Sequence, residues 1–448
     1  MQNDKIVVGL DIGTTKVCAI VGKLNTNGQL EILGVGKSES KGVVNGNVFN
    51  IDRTTDAIIA AVKEAEQQSN INIKVVNVGI AGQHVRSLQQ HGVYVRPHND
   101  DVISVTDIEN LNSNMYRTLV PAGRKIIHVI PQDYLVDSFM RVPDPVGSNG
   151  SKIEADFQVV MAEVGAIKNI ELSVKRAGLI IDDNGLMLEP IASSMSALTE
   201  EEKETGVVLV DIGGGTTDVA VFYKDILRHV AVIPFGGNVI TADIKTGCMV
   251  LESQAELLKT RFGHALEVEV HENSIISIPG SQNRQPKEVS MRNLASIIEA
   301  RVVEIIELVH REIIYSGYER SLIGGIVITG GGAQLKNMVQ LVELVTGLPT
   351  RIGEPTHQIW FKDVHKIKDP MYATAVGLTL AGFQSFDSRV NNYQARYGQE
   401  VKNQNVPAPA DETASKSEKK PSFWDKLKEK SLKIILDDDI NKTDNTDY

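Results

Sequence analysis

Hydrophobic residues first come in short unbroken runs. Ile6, Val7, Val8, Gly9 and Leu10 lead into a polar turn, and strands are predicted at 6–10, 16–24 and 29–37. The period then changes. From Asp52 onward Ala57, Ile58, Ala61, Val62 and Ala65 recur at three-and-four spacing, which predicts a helix, and an apolar strand at 75–81 is stopped by Gly82. A strand meander followed by crossover units indicates the α/β class. Between 84 and 163 the texture differs. Short strands are predicted at 92–97, 126–130, 133–136 and 157–161, a loop at 143–147, and one helical stretch at 106–117 opened by Thr106 and Glu109 as a capping box. This segment reads as a small inserted domain.

The opening pattern returns two hundred residues later. The run at 6–10 ends in Asp11, Ile12, Gly13, Thr14, Thr15 and Lys16; Val207, Val208, Leu209 and Val210 end in Asp211, Ile212, Gly213, Gly214, Gly215, Thr216, Thr217 and Asp218. In each copy a buried strand carries one carboxylate to its tip, and small residues let the backbone turn sharply with its N–H groups outward. A phosphate-and-metal clamp requires these features, and two in tandem predict a duplicated fold closing on one nucleotide. Strands continue at 222–234, helix at 239–261, and strand and loop at 263–290. Leu294, Ile297, Ile298, Val302, Ile305, Ile306, Val309 and Ile313 then form one apolar stripe of a helix predicted at 291–316. A strand at 325–329 feeds Gly330, Gly331 and Gly332, a glycine turn before a helix predicted at 334–346, suited to a flat base or a phosphate near the backbone.

Beyond 388 the pattern collapses. Residues 389–420 are rich in Asn, Gln, Lys, Pro, Ala and Ser, too poor in large apolar side chains to offset the entropy of ordering, and are expected to form a flexible linker. At 421–436 Phe423, Trp424, Leu427, Ile434 and Ile435 fall on one face of a predicted helix, while four lysines against Asp425 and Glu429 give it a charge of +2. An interfacial membrane-targeting helix has this layout, with aromatics at headgroup depth and lysines reaching anionic lipid; packing back onto the domain is the alternative. Residues 437–448 form an acidic tail that anionic lipid would repel.

Composition narrows the function classes. With 448 residues, 42% hydrophobic, the chain has material for more than one domain. A net charge of -11 argues against a general affinity for nucleic acid. Cys18 and Cys248 are the only cysteines, so a disulfide framework or zinc site is not expected. Neither a signal peptide nor a run of roughly 18 apolar residues is present, which predicts a protein made and kept in the cytoplasm.

The order of clamp, clamp and glycine loop resembles the superfamily of actin, sugar kinases and heat-shock chaperones. The segments 9–16, 188–192, 198–200, 210–221, 233–241, 297–301, 316–318 and 328–335 resemble, more narrowly, the FtsA family of bacterial cell-division proteins. That resemblance implies two actin-like (ribonuclease-H-like) lobes around a nucleotide cleft. The first would comprise 1–83, 164–196 and 370–388, the second 197–228 and 300–369 with a small subdomain at 229–299, and 84–163 the inserted subdomain. It implies that Asp11 and Asp211 hold Mg2+ through water, and that 13–16 and 213–216 bind the phosphates of ATP. Glu256 and Lys259 would reach ribose and base, with a surface ion pair as the alternative, and Gly330, Gly331 and Gly332 would flank the adenine. Glu189 stands where relatives orient the attacking water, although a helix N-terminal acid would look the same. Any hydrolysis is expected to be slow and the main role structural. Arg292 and Arg301 lie in the region that receives the acidic C-terminal peptide of FtsZ, the tubulin-like division protein, and arginine suits carboxylate capture. Self-association and docking of later division proteins would use the insertion. The expected function is anchoring FtsZ filaments to the inner membrane face; a scaffold of a pilus or secretion platform and a sugar- or acetate-kinase-type phosphotransferase are the rivals.

Overall fold

The computed structural model describes residues 5–25, 28–97, 101–279, 285–355, 359–360 and 367–383. Two sheets repeat one topology. In the first, Ile6–Ile12 pairs antiparallel with Lys16–Leu24, which pairs antiparallel with Leu30–Glu39; on the other side of Ile6–Ile12 lie Val75–Ile80 and then Ile180–Leu188, both parallel. In the second, Val207–Ile212, Thr217–Tyr223 and Ile226–Ile233 make the same meander, with Ile326–Thr329 and Thr350–Ile352 parallel beyond the first strand. The echo in the sequence is thus an echo in space. The opening strand of each sheet reads as an unbroken apolar run because both of its faces are buried.

The helix Met291–Ser316 spans the predicted residues. Ser290 caps its start, accepting a hydrogen bond from the Asn293 N–H, and Gly317 ends it at a φ of 75°, a conformation that favours glycine. It runs unbroken through the boundary expected at 299/300 because its buried stripe is continuous. Two local readings are corrected. The box that opens the helix Val105–Tyr116 is Ser104 with Asp107, not Thr106 with Glu109, because both reciprocal bonds form two residues earlier. The helix predicted at 334–346 divides into a 3-10 turn at Gly331–Gln334 and a helix at Met338–Thr346, since Asn337 between them takes a left-handed conformation.

Residues 86–163 form an antiparallel sheet, in the order Arg86–Val95, Lys152–Glu163, Arg124–Val136 and Met140–Val142. This unit has its own core, built on Ile103, Ile108, Leu111, Tyr134 and Phe157. It also reaches the second sheet. The buried Arg228 on Ile226–Ile233 donates to Asp133 at 3.2 Å and to Gln132 at 3.3 Å and lies over the Tyr318 ring, while Gln132 donates to the Leu227 carbonyl at 2.9 Å. Arg228→Ala removes the nearer of the two arginine partners of Asp133, the other being Arg141 at 3.9 Å, together with the stacking, and is expected to cost about 2 kcal/mol. A urea midpoint equal to that of the parent would show that the bridge contributes nothing.

The linker at 389–420, the helix expected at 421–436 and the tail at 437–448 lie outside the described residues. Among the described residues no helix is long and apolar enough to cross a membrane. Cys18 and Cys248 are both buried and free.

Candidate functional site

Each polar turn is closed by the same bond. The Gly13 N–H donates to the Lys16 carbonyl at 3.0 Å, and the Gly213 N–H to the Thr216 carbonyl at 2.9 Å. Each aspartate sits one residue before its strand ends, Asp11 opposite Cys18 and Asp211 opposite Asp218. The two turns face each other at contact distance. A Cβ on Gly214 would lie 1.9 Å from Thr15 Oγ1, so a side chain there would force Thr15 aside. The first residues of the helix Gly237–Gly247 brace the second turn, since the Gly237 and Asn238 N–H groups donate to the Gly213 and Gly214 carbonyls.

These turns form one wall of a cavity of about 920 Å³, within the size range of small-molecule sites. Asp11, residues 13–16, Glu189, Asp211, residues 213–216, Glu256, Lys259, Gly330, Gly331 and Gly332 all line it. The three glycines of the last loop differ in what they do. Gly330 has a φ of 83° and lies against Asp211, Gly332 packs on Ile212, and Gly331 faces open space, leaving its backbone accessible to a ligand. Glu256 and Lys259 are not an isolated ion pair. Lys259 Nζ contacts Glu256 at 2.7 Å and also donates to the Gly237 carbonyl and Thr241 Oγ1, tying the helices Gly237–Gly247 and Glu252–Phe262 together at the cavity edge.

Charge in the cleft is out of balance. Glu189, Asp211 and Asp218 are pushed up from ordinary carboxylate values, first by burial, with Asp11, Asp218 and Asp211 adding to it at Glu189, Asp11 at Asp211, and Asp211 at Asp218. Lys16, 2.6 Å from Asp11, is the nearest cation. Burial disfavours its charge, but Asp11, which also accepts its hydrogen bond, and Asp211 outweigh that and raise its pKa. Four acids thus crowd one lysine, and Asp218 Oδ1 is buried without a hydrogen-bond partner. A divalent cation would offset the repulsion that raises these carboxyls. Among the described residues no three acids, histidines or cysteines converge closely enough to ligate an ion directly. A magnesium ion would be suited by this arrangement, because it keeps several waters and is commonly held by one or two carboxylates and substrate phosphates.

Sequence reasoning left Asp218 in the motif without a role, and did not find Ser193 and Thr374, which both donate to Asp211. A charged residue between apolar strand positions was the available signal for Asp218. Ser193 and Thr374 carry none, since their partner lies 18 and 163 positions away.

Arg292 and Arg301 are not among the lining residues. Arg292 pairs with Glu267 and Glu272, and Arg301 grips Asp243 with two nitrogens at 2.5 and 3.1 Å and also meets Glu304. Phe423, Trp424, Leu427, Ile434 and Ile435 lie outside the described residues.

Two family models match this chain, one described as cell division protein FtsA over residues 208–377 and one as an SHS2 domain inserted in FtsA over residues 82–161. The cell division protein FtsA of Pseudomonas aeruginosa is 41% identical over 384 residues, 86% of this chain and 91% of its own length. That of Escherichia coli K12 is 35% identical over 388 residues, 85% of this chain and 91% of its own. Among solved structures, a PilM-PilN type IV pilus biogenesis complex aligns with a TM-score of 0.62 at 16% identity, over 84% of this chain and 98% of that one. At that identity the likeness establishes the shared actin-like fold alone.

Proposed function

Because the chain belongs to the FtsA family of bacterial cell-division proteins, we propose that it binds Mg-ATP between its lobes, self-associates at the inner face of the cytoplasmic membrane, and anchors FtsZ filaments there. Family membership sets aside the sugar-kinase and pilus-scaffold alternatives. The observation that carries the nucleotide reading is the meeting of two equivalent aspartate-tipped turns, one from each sheet, at the wall of a single acidic cavity. The residues 13–16 and 213–216 hold the phosphates, Asp11 and Asp211 the hydrated Mg2+, and Gly330, Gly331 and Gly332 flank the base. The ion, when bound, supplies charge neutralisation for the phosphates. A ligand touching both turns favours the closed arrangement of the lobes, and the lobes set the surfaces through which copies associate.

Glu189 begins the helix Glu189–Ala197, with its side chain packed beside Gly79, where an added Cβ would come within 2.7 Å of Glu189 Cγ. Burial and the neighbouring acids push its carboxyl up, and a carboxyl so placed is suited to orienting a water. Glu189→Ala is expected to retain nucleotide affinity and lose about a hundredfold in ATP turnover in a phosphate-release assay; unchanged turnover would remove Glu189 from the chemistry.

For the FtsZ peptide, Arg292 and Arg301 are the residues proposed to capture its carboxylates, by exchange with acids of this chain. The exposed Glu272 and Glu304 are the carboxylates it would replace. Reversing both arginines to glutamate is expected to abolish binding of the FtsZ C-terminal peptide by fluorescence anisotropy. Full retention would move the site elsewhere. Docking of later division proteins is proposed for the unit at 86–163.

A further inference from the structure

The carboxylate of Asp211 sits at the tip of the second sheet's opening strand, yet the two hydroxyls that hold it come from helices outside that sheet. Ser193 Oγ donates to Asp211 Oδ2 at 2.7 Å, Thr374 Oγ1 donates to the same oxygen at 3.1 Å, and the two hydroxyls are 3.0 Å apart. Ser193 is fully buried and Thr374 is 8% exposed. Buried helical hydroxyls commonly donate back into their own helix, as Ser194 does to the Ile191 carbonyl and Thr379 to that of Ala375. Ser193 and Thr374 donate across to another element instead.

Their spacing is fixed. The helices Glu189–Ala197 and Ala373–Ala381 cross where Gly377 meets Ala192, so closely that a Cβ on Gly377 would lie 1.8 Å from the Ala192 carbonyl oxygen. Ser196 Oγ adds a bond to the Ala373 carbonyl at 2.7 Å. The helix Ala373–Ala381 packs on the first sheet, against Ile6–Ile12 and Lys16–Leu24, while Glu189–Ala197 touches both sheets, meeting Val75–Ile80 and Ile180–Leu188 on one side and Val207–Ile212 and Thr217–Tyr223 on the other. The other oxygen of Asp211 is bounded by Gly330, where a Cβ would come within 2.3 Å of Oδ1. The carboxylate therefore has one oxygen tied to a helix of the first sheet and to a helix that touches both sheets, and the other confined by the glycine loop beside its own strand.

We propose that Ser193 and Thr374 are positioning residues that orient the Asp211 carboxylate, Thr374 from the helix packed on the first sheet and Ser193 from the helix between the two sheets, so that it is aimed at a hydrated divalent cation only while the lobes are together. Cation binding and cleft closure become one event. The inference rests on the Mg-nucleotide reading above and assigns the hydroxyl pair a part in it beyond satisfying a buried acid.

The test measures the affinity of the full chain for a fluorescent ATP analogue, once in excess Mg2+ and once in EDTA, for the parent, the Ser193→Ala/Thr374→Val double variant and Thr374→Ser. In the double variant the ratio of the two affinities is expected to fall about tenfold, the scale of lost hydrogen bonds to an ionised group, while the EDTA value stays within about twofold of the parent. Thr374→Ser, which keeps the hydroxyl, is expected to keep the parent's ratio. Ser193→Ala alone, which deletes one atom, is expected to shift it the same way by less, and serves if the double variant does not fold. An unchanged ratio in variants that fold would overturn the proposal, as would an equal loss in both media, which would mean that the hydroxyls only support the fold. A parent whose affinity is the same with and without Mg2+ would overturn the underlying reading as well, and is distinguishable because it appears before any substitution.

Discussion

Asp211→Ala is expected to reduce Mg-ATP affinity by a hundredfold or more, about 3 kcal/mol, in equilibrium titration with a fluorescent analogue. The size follows from position. Asp211 is one of two carboxylates at the tips of equivalent turns, and it is held by Thr374 from the helix on the first sheet, by Ser193 from the helix between the sheets, and by the Gly330 loop beside its own strand. Its removal takes a charge from the cation site and releases the contact that closes the cleft. The fold should tolerate the change, because Ser193 and Thr374 remain within 3.0 Å of each other and one fewer acid relieves the crowding on Glu189 and Asp218. An affinity within a few-fold of the parent would take Asp211 out of the clamp.

Removing residues 421–448 is expected to abolish flotation of the chain with anionic liposomes. Phe423, Trp424, Leu427, Ile434 and Ile435 offer apolar area to the acyl boundary, and each of Lys426, Lys428, Lys430 and Lys433 adds about 1 kcal/mol beside an anionic surface. The aspartates at 437, 438, 439, 444 and 447 work against this, so removing 437–448 alone should strengthen flotation. Equal flotation of the intact chain and the chain lacking 421–448 would place membrane attachment elsewhere.

What the sequence disclosed followed from local rules. The duplicated sheets were legible because each opens with a doubly buried strand, which reads as a continuous apolar run, and closes in an aspartate and glycine turn. The helix Met291–Ser316 was legible to its ends because cap, stripe and terminal glycine agree. The errors arose where two local signals competed. Thr106 with Glu109 and Ser104 with Asp107 both match a capping box, and the apolar stripe at 334–346 passes over Asn337 without marking its left-handed turn. The hydroxyl pair was illegible for another reason. Serine and threonine inside a helix look the same whether they bond to their own backbone or across to a carboxylate on another element. The Arg228 bridge likewise joins positions about 95 apart, with nothing in the sequence to pair them.

The most direct measurement is a crystal structure of the full chain grown with a non-hydrolysable ATP analogue and magnesium. The account predicts a single nucleotide with its phosphates between 13–16 and 213–216, and an ion whose waters reach Asp11 and Asp211. Turns standing apart with the cleft vacant at saturating ligand, or a nucleotide bound away from both aspartates, would contradict it.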